Sequence, residues 1–147
     1  MIYVSSALVD SIRAVPLLGI YVMAWDGELA VFASEPVPGT VMKNQLTAPT
    51  CHIVVGPQLS DDWLDDKSGK LREVRTQVRI YAPKTIYSAQ IPDLLAGSIT
   101  DSLNRVPSAV TVFGSTVIAL DASGAFWNDS EKWYGRSVSL RLLMTKN

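Results

Sequence analysis

The sequence predicts an α+β fold: a mostly antiparallel β-sheet covered by two amphipathic helices, with long loops. Three observations carry that expectation. Residues 72–82 alternate, with Val74, Thr76, Val78, Ile80 and Ala82 on one side and Glu73, Arg75, Gln77, Arg79 and Tyr81 on the other. Successive side chains of a strand point to opposite faces, so this pattern describes a strand buried on one side, as antiparallel sheets allow. Val138, Leu140, Leu142 and Met144 alternate with Ser137, Ser139 and Arg141 in the same way. Two other segments have helical spacing, Val4–Leu8–Ile12–Val15 and Ile91–Leu95–Ile99–Leu103.

The elements follow in order. The first helix is stopped by Pro16, which lacks an N–H and disfavours helical geometry in the residue before it. Leu29–Ala33 reads as a short apolar strand. Residues 34–49 read as a long loop containing Pro36, Pro38, Gly39, Asn44 and Pro49, and loops of that length tend to be functional. His52–Val55 reads as a buried strand ended by Gly56-Pro57. A loop carrying Asp61, Asp62, Trp63, Asp65 and Asp66 precedes the long strand at 72–82. After Pro83 the second helix spans about 91–106, with Pro92 in its first turn, Leu94 and Val106 widening its apolar stripe, and Pro107 at its end. Strands at about 116–120 and 134–144 complete the chain, joined by a long hairpin connection bearing Phe126, Trp127 and Trp133.

A length of 147 residues fits one domain, 1–147, and 48% hydrophobic residues supply a core, which excludes disorder. The net charge of −1 argues against a strongly basic nucleic-acid binder. That total conceals an uneven distribution, since residues 1–66 carry −6 and residues 67–147 carry +5. The first ten residues lack a basic segment and reach Asp10 early, so no secretory leader is expected. The longest uncharged apolar stretch, 14–25, contains Pro16 and Gly19 and is shorter than the ~20 residues of a spanning helix, so no membrane association is expected.

Cys51 and His52 are the sole cysteine and histidine. They cannot build a disulfide framework or a Cys/His zinc site, which takes about four ligands. As neighbours on a strand they point apart, so they form no nucleophile–base pair, and no Gly-x-Ser-x-Gly elbow is present. Asp61, Asp62, Asp65 and Asp66 are the best candidates for a hard-cation site, which would make the chain a metal-dependent nuclease or hydrolase. Their spacing does not match a calcium loop, and carboxylates on one loop do not converge from separate strands. A solvated docking patch fits them better. Arg72, Arg75, Arg79, Arg136 and Arg141 would form a cationic patch if their strands are adjacent, facing an acidic partner or passing nucleic acid. Trp63, Trp127 and Trp133 are candidate interface anchors. No phosphate-cradling glycine motif is present, no cofactor is expected, and no enzyme activity is expected.

The order of elements resembles the phage tail-terminator family, also called tail-completion or tail-to-head joining proteins and including minor tail protein U-like members. The resemblance rests on the opening helix ending at Val15-Pro16-Leu17, the strand Arg75–Ala82, the helix Ile91–Leu103 and the two closing strands. It implies a structural virion protein that forms a hexameric ring on the head-proximal end of the tail tube. There it would end tube polymerisation and meet the head–tail connector, with DNA passing through the lumen without sequence-specific binding. Another neck or head-completion protein is the nearest alternative. A ring requires two different surfaces on each subunit. The charge split offers a pair, with Asp61–Asp66 of one subunit against the Arg72/Arg75/Arg79/Arg141 side of its neighbour.

Overall fold

The computed structural model describes residues 4–22, 24–25, 27–33, 51–64 and 69–147. The predicted loop at 34–49, the carboxylates of Asp65 and Asp66, and the side chain of Phe126 lie outside the described residues. The fold is α+β, as the alternation and helical spacings predict.

Helix α1 spans Ser5–Arg13, and Val4, Leu8, Ile12 and Val15 are all buried, so the stripe read from the sequence is the packed one. A short helix α2, Leu18–Tyr21, follows Leu17, whose φ of 76° turns the chain sharply after Pro16. Strands β1 (Ala24–Trp25) and β2 (Glu28–Leu29) pair as a small separate ladder. The predicted strand at 29–33 is therefore split between β2 and β3 (Val31–Phe32), which joins the main sheet.

The main sheet has the order β3-β4-β6-β8-β7. Strands β4 (His52–Val55) and β5 (Ser60–Trp63) lie along the same edge of β6 (Leu71–Pro83), opposite Val78–Tyr81 and Arg72–Arg75 respectively. Strand β8 (Trp133–Lys146) pairs with β6 in unbroken register from Leu71↔Thr145 to Pro83↔Trp133, and β7 (Ser115–Trp127) closes the far edge. Only the β3–β4 pairing is parallel among these strands.

Helix α3 spans Gln90–Leu103 and packs on β6, β7 and β8, burying Leu95, Ala96, Ile99 and Leu103. Two expectations are corrected here. The helix ends at Leu103 and not near 106, and Leu94 and Val106 are exposed. Asn104 turns extended and Arg105 adopts φ 61°, so that the Arg105 N–H donates to Leu120 O and the Asn104 side chain accepts from Ala122 N–H. The edge of β7 thus captures the chain before the helix can continue. A 3₁₀ turn at Pro107–Ala109 leads to the last two strands, its Ala109 carbonyl accepting from the Ser11 hydroxyl of α1 at 2.6 Å.

Two further corrections concern strands. Asp61, Asp62 and Trp63, expected in a loop, form β5. The closing hairpin is also longer in strand and shorter in loop than expected, because β7 runs to Trp127 and leaves five residues before β8. Register shifts between Val117 and Ala119, and between Ser123 and Phe126, mark bulges that break strict alternation.

Candidate functional site

The side chains of the sheet divide by face. Arg72 and Arg136 fall on the helix-covered face with Val74, Val78, Val138 and Leu142, whereas Arg75, Arg79 and Arg141 fall on the other. The five arginines therefore do not form a single cationic patch.

On the second face Arg75 stands opposite Arg141, which stands opposite Asp121. Glu73 joins the arginines, accepting from Arg75 Nε at 2.8 Å and from Arg141 Nε at 2.9 Å, and Arg141 Nη1 reaches Asp121 at 3.2 Å. Hydrogen bonds from Arg75 and Arg141 hold the Glu73 carboxyl below its ordinary value, and Glu73 and Asp121 raise Arg141 in return. This row is charge-balanced. Arg79 turns back into the chain, donating from Nε to Gly56 O at 2.9 Å.

At one end of the sheet, Asp61 and Arg72 form an ion pair with Oδ1 and Nε 2.8 Å apart, both side chains nearly buried. The Arg72 guanidinium lies 4.1 Å over the Trp63 ring, a cation–π contact. Asp61 and Arg72, expected to face each other across subunits, therefore pair within one chain. Asp62, the next residue of β5, is exposed. Among the described residues no three His, Cys, Asp or Glu side chains converge as a metal site.

The same end carries a feature that the sequence reading missed. Phe113 is fully exposed on the turn Val112-Phe113-Gly114, whose flanking Val110 and Val112 are buried. The turn is fixed by Ser115 N–H to Val112 O and Asn147 N–H to Gly114 O. Together with Trp63, which is 54% exposed, Phe113 borders a cavity of about 210 Å³ also lined by Lys70, Arg72 and Lys146. A lone aromatic just before Gly114, which has φ 77°, was the available signal.

The opposite end holds a clamp. Arg136 has a side chain with no exposed surface, and donates to Asp93 of α3 and Asp129 of the hairpin, each at 2.6 Å, while its guanidinium lies 4.5 Å over the Trp127 ring. Burial works against the Asp129 carboxylate, but bonds from Gly135 N–H and Arg136 outweigh it and lower its pKa. Burial likewise opposes the Arg136 charge, and the two carboxylates restore and raise it. Trp127 remains 72% exposed. Trp133 instead packs inward, edge-on to His52 at 5.3 Å, and His52 stacks on Tyr81 at 5.0 Å.

Cys51 and His52 are both buried. Burial pushes the Cys51 thiol up to about 12 and His52 down to about 4, so neither is charged at neutral pH. A neutral thiol without a base is a packing group, not a nucleophile.

No protein-family model matches the chain, and no curated protein matches it. Among solved structures it shares its fold with a chain of "Virion of native gene transfer agent (GTA) particle". The TM-score is 0.69, over 97% of this chain and 95% of that chain, at 16% sequence identity.

Proposed function

We propose that this chain is a structural virion protein of a phage or phage-like particle. It works by assembly and catalyses no reaction. In this reading it caps the head-proximal end of a tail tube as a hexameric ring, ends tube polymerisation, and presents the tail side of the head–tail joint to a connector protein. DNA passes through the ring lumen without sequence-specific contact. The observation that supports this best is the likeness in fold, nearly end to end in both chains, to a chain from a virion particle. The order of elements, which resembles the tail-terminator family, is consistent with it. So is the engagement of Asp61, Glu73, Asp93, Arg72, Arg136 and Arg141, among the described residues, in ion pairs within the chain.

The test is negative-stain imaging of the purified protein, alone and mixed with tail tubes assembled from the tube protein of the same particle. Six-fold rings at one end of each tube, with tube growth arrested, are expected. Tubes that lengthen at the same rate with and without the protein, and carry no cap, would remove the reading. Binding to the head connector with no affinity for tubes would assign the chain to another position in the neck.

A further inference from the structure

We draw no further inference here: the strongest candidate, the aromatic surface patch at the end of the sheet where Phe113 and Trp63 border a cavity of about 210 Å³, carries nothing because the Arg72 beside it is already paired with Asp61 and nothing in the structure shows what covers it.

Discussion

Arg136 ties the closing hairpin to helix α3, donating to α3 through Asp93, to the hairpin through Asp129 and to its own strand through Gly135 O. Its guanidinium is nonetheless incompletely satisfied, since Nη2 is buried without a hydrogen-bond partner among the described residues. A buried ion pair contributes little net stability over an apolar replacement, but breaking one side of it is costly. Arg136→Met should therefore destabilise the protein modestly, by about 1–3 kcal/mol, because the half-exposed carboxylates it abandons can be hydrated. The Asp93→Asn/Asp129→Asn double variant should cost more, about 3–5 kcal/mol, because it strands a buried cation. Urea denaturation of both would decide, and a double variant as stable as Arg136→Met would show that the clamp is not electrostatic. The clamp could not be read from the sequence. Arg136 occupies a core-facing position by strand parity, next to Val138, yet arginine at such a position reads as a surface residue until its two carboxylates are located.

Among the elements, the legible ones were those in which pattern and burial agree. Strand β6 and helix α1 are packed on the faces that their spacing names, because nothing local competes with the tertiary arrangement. Strand β5 was hidden because aspartates have poor strand propensity, and the side chain that anchors it is Arg72 of β6, which pairs with Asp61 and lies over Trp63. Strand β7 was hidden beyond residue 120 because the bulge at Ile118 changes which parity faces the helices, placing Val117, Leu120 and Ala122 in the core at spacings of three and two. Helix α3 was legible at its start and not at its end, where Asn104 bonds to β7 and overrides the apolar stripe. Gly97, inside helix α3, leads to a prediction at this scale. Gly97→Ala should stabilise the subunit by about 1 kcal/mol, roughly 3–5 °C in Tm by calorimetry, since the added methyl meets no atom of the described residues within 4 Å. No gain, or a loss, would mean that Gly97 serves the fold of the isolated subunit.

For the whole molecule, acid stability reports on the second face of the sheet. His52 is buried neutral with its pKa lowered to about 4 from 6.5. Between those values the unfolded chain binds a proton that the native chain refuses, so stability falls as pH drops from about 6.5 to about 4. The loss is on the order of 3 kcal/mol. Glu73 acts at lower pH, because its lowered pKa gives stability that is present above about 4.5 and lost as its carboxylate protonates below that. His52→Phe keeps a ring between Tyr81 and Trp133 and should flatten the stability profile above pH 4.5 while leaving the steeper loss below it. An unchanged slope in the Phe variant would assign the upper window to another group. The overall charge asymmetry of the sequence also changes meaning at this scale. Asp61, from the acidic first part, is paired with Arg72 from the basic second part, so at this carboxylate the polarity of the sequence is cancelled within one chain.

The sheet order sets a timetable for synthesis. Strand β8 lies between β6 and β7, yet it follows both in the chain. While a ribosome is still adding residues 133–146, β6 has partners on one edge only, and β7 has none in the main sheet. The pairing of β6 with β8 spans about fifty to seventy residues of intervening chain, and such non-local closure is slow. Until that last strand inserts between them, the facing edges of β6 and β7 stay unpaired, and Val138, Leu140, Leu142 and Met144 are missing from the apolar face that α3 covers.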